Sequence, residues 1–190
     1  MLSPISRILL SVFAATMSSA ATSKAIATSQ KRLLPSYWLL KSEPDEFGIA
    51  DLKMSRTAPW DGIRNFQARN FIQKEMKEDD VAFFYHSSCK KVGIYGKMRI
   101  AGEAFVDPTA FDTTSDYYDI KSTSDNPKWY GINVEFQQEY STPLLLEQIK
   151  ELDLGSCPLT AKGNRLSIIP LTAEQFVTLE EALDKAQDEK

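Results

Sequence analysis

Apolar residues fall into short runs separated by polar turns, and two periods can be read from them. Tyr37 to Leu40 is a compact apolar run that predicts a strand, followed by a turn at Pro44-Asp45. Val81-Ala82-Phe83-Phe84-Tyr85-His86 predicts a buried strand. Lys91 to Val106 predicts further strand, bent at Gly93, Gly96 and Gly102. In Trp129 to Tyr140, Ile132, Val134 and Phe136 alternate onto one face, and Leu166 to Leu171 predicts a last strand. Helical signals lie between these runs. Ile49 to Lys53 has room for a turn or two. Asn65 opens a helix over Phe66, Phe71 and Ile72 that ends at Glu78-Asp79-Asp80. Thr142-Pro143 has the form of an N-cap and first-turn pair for a helix through Leu152. Thr172-Ala173-Glu174-Gln175 is a capping box before a stripe of Phe176, Leu179 and Leu183. Pro59 to Gly62 and the polar stretch 107–128 are expected as loops, the second long enough to be functional or mobile. Strands and helices do not alternate regularly. The fold class is therefore α+β, with a mostly antiparallel sheet or small barrel.

Charge changes this picture at one end. Residues 1–36 contain Arg7, Lys24, Lys31 and Arg32 and no acid, with an apolar run from Ile8 to Ala15 too short to span a bilayer. The segment reads as an organellar presequence, a secretory signal or a disordered tail, with initiation at Met17 as a further reading. The chain then divides into this segment, a domain over 37–184 and a polar tail over 185–190. Four of the 22 basic residues precede Tyr37, so the remainder sets 18 against all 26 acids, a net of −8. Such a domain is a poor non-specific binder of nucleic acid, because phosphate neutralisation drives that binding. A nucleic-acid ligand would need a local basic patch and a pocket for a base.

Chemistry-bearing motifs of the usual kinds are missing. The chain has no Gly-x-Ser-x-Gly, no P-loop and no dinucleotide-binding glycine set. Cys89, Cys157 and His86 are too few for a zinc site, and Cys89 near His86 is not a nucleophile–base pair in itself. No enzyme, metal or cofactor is expected.

The distinctive stretch runs from Tyr37 to Asn70. Aromatics, cations and small polar groups adjoin there at points where elements start or stop, which is what a pocket for a flat polar ring requires. Tyr37-Trp38-Leu39-Leu40-Lys41-Ser42-Glu43-Pro44, Pro59-Trp60-Asp61-Gly62-Ile63-Arg64-Asn65, Phe84-Tyr85-His86-Ser87, Asp107-Pro108-Thr109-Ala110-Phe111 and Asn126-Pro127-Lys128-Trp129-Tyr130 together resemble the EVE domain. The resemblance covers about residues 37–183. It departs at Ser87-Ser88-Cys89-Lys90-Lys91, more polar and basic than the turn such domains often carry. It implies a PUA-like fold, a small mixed or antiparallel β-barrel with flanking helices, similar to the YTH domains. It further implies a nuclear reader of modified bases, notably 5-methylcytosine or its hydroxymethyl form flipped out of DNA; with no catalytic motif in the chain the reader is expected to be non-enzymatic, and a monomer is expected. The alternatives are a module for modified RNA or tRNA, a nuclease or hydrolase acting on modified nucleotides, a protein-interaction domain with a vestigial pocket, and a mitochondrial location through residues 1–36.

Trp60 is the expected stacking platform, with Tyr85 or Trp129 opposite it; a Trp plugging the barrel end is the competing reading. Trp38 is expected in the core. Lys41, Ser42, Glu43 and Asn65 are the candidate edge readers, Glu43 for a cytosine amine, while Asn65 is equally a helix N-cap. His86 and Ser87 end the third motif; strand alternation puts one of Tyr85 and His86 inward and the other outward. Arg64 is set either against phosphate at a helix start or against Asp61 on the surface. Lys162 and Arg165, in the turn Lys162-Gly163-Asn164-Arg165, are candidates for a phosphate clamp.

Overall fold

A computed structural model describes residues 34–189. The readings that fall on residues 1–33 and on Lys190 lie outside the described residues. Six strands form one mixed sheet: β1 (Tyr37–Ser42), β2 (Thr57–Trp60), β3 (Val81–His86), β4 (Gly93–Val106), β5 (Tyr130–Leu145) and β6 (Ile168–Leu171), in the order β2-β5-β4-β3-β1-β6. Neighbours are antiparallel except β1 and β3, which run parallel with Leu39 beside Phe83 and Ser42 beside His86. The helices are α1 (Ile49–Ser55), α2 (Phe66–Asn70), α3 (Leu146–Ile149) and α4 (Ala173–Asp188), with a π-helical turn over Phe71–Glu75 after α2 and a 3-10 turn over Pro108–Ala110.

The sheet is open rather than a closed barrel. Its two edge strands, β2 and β6, are four residues each, and each carries a proline, Pro59 and Pro170. Proline has no N–H to offer a further strand, so it belongs at a sheet edge.

Both faces of the sheet are covered, which explains why β1 and β3 read as continuous apolar runs. Trp38, Leu40, Ala82 and Phe84 pack with Ile49, Leu52, Ala68 and Ile72 on one side. Leu39, Phe83 and Tyr85 pack with Phe176, Leu179 and Leu183 of α4 on the other. Tyr85 and His86 are consequently both buried, where one had been expected outside. Alternation sends them to opposite faces, but neither face of β3 meets solvent there. Trp38 lies in the core as expected, and its indole N–H donates to Asp80 Oδ2 at 3.0 Å. Gly96 allows α1 to lie close on the sheet: a Cβ there would stand 2.4 Å from Ile49 Cδ1.

Three local expectations are corrected. Pro59 and Trp60 belong to strand β2, because Ala58 and Trp60 alternate inward and pair with Val134 and Ile132 of β5. Thr142 and Pro143 lie in β5 instead of opening a helix. Leu144 and Leu145 pair with Ile94 and Gly93, and the Gln187 side chain clasps the Thr142 backbone. The π-helical turn stops at Glu75, before Glu78. The capping box forms as expected: Thr172 Oγ1 accepts from the Gln175 N–H, and Gln175 Oε1 from the Thr172 N–H. The terminal helix runs to Asp188, into the stretch read as a tail.

Candidate functional site

An open cleft of about 850 Å³ lies where the ends of β1, β2 and β3 meet the 107–128 loop and the turn before β6. Its volume is within the range of roughly 300–1,000 Å³ for ligand pockets. The β1 end supplies Lys41, Ser42 and Glu43, and the β3 end supplies Ser87, whose backbone N–H donates to the Ser42 carbonyl at 2.8 Å. Trp60, Asp61, Gly62, Arg64 and Asn65 line the side reached from β2. Tyr117 forms a wall of the cleft, and Arg165 lines it at an exposed position.

Aromatic character comes from Trp60, Phe47 and Tyr117. Trp60 is only 5% exposed, held edge-on by Phe84 at 5.2 Å and Phe47 at 6.3 Å between ring centroids. It contributes to the core and to the cleft lining at once. Tyr117 packs on Gly62, and its hydroxyl donates to Glu46 Oε2 at 3.1 Å. Gly62 has φ of +70°, and a Cβ there would lie 3.0 Å from the Tyr117 ring, so both backbone and space call for glycine.

Arg64 lines the cleft but spends its guanidinium on the protein. Nε donates to the Tyr117 carbonyl at 2.6 Å, Nη1 to Asp107 Oδ2 at 2.7 Å and to the Ile63 carbonyl, and Nη2 to Thr109 Oγ1 at 2.9 Å. Its ion-pair partner is Asp107 of the fourth motif rather than Asp61. Asp107 is fully buried and also accepts from the Gly62 and Thr109 N–H groups. Burial pushes its carboxyl upward, but the hydrogen bonds from Arg64 and Thr109 outweigh this and hold its pKa below the usual value.

Asp61 has the opposite environment. It is half-buried in the cleft, and among the described residues no other residue donates a hydrogen bond to its carboxylate. Burial and the nearby Asp107 raise its pKa, offset in part by its own backbone N–H and by Arg64. Lys41 is also partly withdrawn from water, and burial lowers its pKa. Its ammonium lies 5.6 Å from the centre of the Tyr85 ring.

Several candidates are placed elsewhere. Tyr85 faces the α4 side of the sheet, where burial pushes its hydroxyl up to about 12. His86 stacks on Tyr95 at 4.0 Å, and its Nε2 accepts from the Ile49 N–H at the start of α1. Trp129 is buried outside the cleft lining, with its ring stacked on Phe66 at 4.8 Å and its indole N–H donating to Asp119 at 2.7 Å. Asn65 lines the cleft, and its side-chain oxygen caps α2 through the Gln67 and Ala68 N–H groups. Lys162 is exposed beyond the lining. Sequence reasoning missed Asp61 as a lining group, together with Phe47, Glu46 and Tyr117. Asp61 stands beside Trp60 in a quoted motif, which was a usable signal; Tyr117 gave none beyond its place in a long loop.

Among the described residues no group of three or more His, Cys, Asp or Glu could hold a metal ion, and no helix is long and apolar enough to cross a membrane. Cys89 and Cys157 are free thiols.

The family model for the EVE domain matches residues 36–182. The chain belongs to the EVE domain family. Thymocyte nuclear protein 1 of Danio rerio is 44% identical over 166 residues, covering 75% of this chain and 70% of the relative. The Homo sapiens protein of that name is 41% identical over 163 residues, with coverage of 75% and 72%. Among solved structures, a Pseudomonas syringae protein superposes with a TM-score of 0.75 at 45% identity, over 77% of this chain and 99% of that one. Human THYN1 protein in complex with 5-methylcytosine-containing DNA superposes with a TM-score of 0.70 at 39% identity, over 80% and 98%. The open six-stranded sheet with flanking helices is thus a PUA-like EVE domain.

Proposed function

We propose that this EVE domain is a non-enzymatic, monomeric, nuclear reader of modified nucleobases, taking a flipped 5-methylcytosine or 5-hydroxymethylcytosine of DNA into the cleft. The observation that carries the reading is the joint presence of an aromatic and polar cleft in this chain and 5-methylcytosine DNA on a relative of the same fold. The base would stack on the cleft face of Trp60, between Phe47 and Tyr117, while Ser42 and Ser87, with the Lys41 and Asn65 side chains, border its edge. Arg165, exposed at the cleft and without an ion pair among the described residues, would take flanking phosphate, with Lys162 further out. Extruding a base costs a few kcal/mol, and one base stack returns about 1–3 kcal/mol, so edge contacts must supply the remainder. The name of the thymocyte nuclear relatives supports the nuclear location.

The test is fluorescence anisotropy with DNA oligonucleotides, single- and double-stranded, carrying cytosine, 5-methylcytosine or 5-hydroxymethylcytosine at one site, with matched RNA strands. Tighter binding of the modified DNA, with the oligonucleotide recovered intact, is expected. Equal affinity for all bases overturns base reading, preference for modified RNA moves the substrate class, and strand or base cleavage makes the protein an enzyme.

A further inference from the structure

The cleft holds four carboxylates with unequal surroundings, counting Asp107, which borders it through Arg64. Asp107 has four hydrogen bonds to its two oxygens and no exposed surface. Glu46 holds the Tyr117 hydroxyl. Glu43 stands exposed at the rim, where water competes for any bond it makes. Asp61 alone is both partly withdrawn from solvent and free of any hydrogen bond from another described residue, in a cleft that Trp60 also lines.

Resting on the base-reading proposal, we infer that the Asp61 carboxylate accepts the exocyclic amine of the bound base, so that the cleft selects a cytosine-type edge. An ionised carboxylate only accepts hydrogen bonds. The N4 amine of cytosine donates, whereas the O4 of thymine is an acceptor and would face Asp61 with like partial charge. Thymine carries the same 5-methyl group as 5-methylcytosine. Stacking area and methyl contacts are therefore nearly equal for the two, and the amine edge carries the difference. The role expected for Glu43 passes to its neighbour across the cleft, for a physical reason: a hydrogen bond contributes more where the unpaired alternative is poorly hydrated.

The experiment compares single-stranded oligonucleotides with 5-methylcytosine or thymine at one position, bound to the unaltered chain and to Asp61→Asn. The unaltered chain is expected to prefer 5-methylcytosine by about tenfold to a hundredfold. Asp61→Asn, whose amide can donate to O4, is expected to bring the two affinities together. A melting curve checks its fold, and Asp61→Ser reads the same contact should Asn be poorly tolerated. Undiminished preference for 5-methylcytosine in folded variants overturns the role of Asp61 and leaves the reader proposal standing. Failure of the unaltered chain to bind either strand overturns the reader proposal and this inference with it.

Discussion

Arg64 Nη1 stands 2.7 Å from Asp107 Oδ2, so the approach to α2 is tied to the chain leaving β4 by a largely buried ion pair. The pair orders the cleft wall, because the same guanidinium holds the Tyr117 carbonyl. Removing one partner leaves the other charge buried. Arg64→Ala is expected to cost about 3 kcal/mol in urea unfolding and to leave the salt dependence of oligonucleotide binding unchanged. Arg64→Lys restores little, since one ammonium cannot replace the fork of donors. A reduced salt slope in Arg64→Ala would instead place this cation on phosphate.

Arg165 is the contrasting cation. Arg165→Ala is expected to weaken modified and unmodified strands alike and to lower the log–log salt slope by about one unit, because phosphate contacts carry no base information. Lys162→Ala should change the slope less. Titrations at several salt concentrations measure both, and an unaltered slope for Arg165→Ala would make the turn a solvated loop.

Trp60 serves both core and cleft, so truncation and conservative change should separate. Trp60→Ala is expected to lose about 3–5 kcal/mol of stability, as large aromatic deletions in cores do. Trp60→Phe should keep the fold while weakening modified-base binding, which loses part of the stacking surface. Unfolding curves paired with anisotropy distinguish the two effects; full affinity in Trp60→Phe would count against a stacking role.

His86 gives a pH dependence with a defined sign. Burial lowers its pKa below the ordinary 6.5, partly offset by Asp51 and Glu139, and its Nε2 must be unprotonated to accept from the Ile49 N–H. The unfolded chain therefore takes up the proton first. Stability is expected to be full above about pH 6.5, to fall as pH drops below it, and to level off once the folded-state pKa is passed. Urea midpoints across this range for the unaltered chain and His86→Gln should show a shallower dependence in the variant.

What the sequence by itself determined is what short-range physics controls. The Thr172–Gln175 box and the Phe176, Leu179, Leu183 stripe specify α4 within one helix. Asn65 caps α2 through donors two and three residues on. The runs at Tyr37 and Val81 read as strands because both faces of each were to be buried. Family membership was likewise legible, since its motifs are contiguous. Tertiary structure decided the rest. Thr142-Pro143 carries a good local helix signal, yet pairing with β4 holds it in strand. The prolines that close the sheet edges acquire that meaning only from strand order. The partner of Arg64 was settled by Asp107, brought in by the far end of β4, and the same return of chain set Tyr117 against Gly62. Among the described residues that arrangement left Asp61 without a donor from any other residue, because a residue's unfilled hydrogen-bonding capacity depends on every chain segment that folds around it.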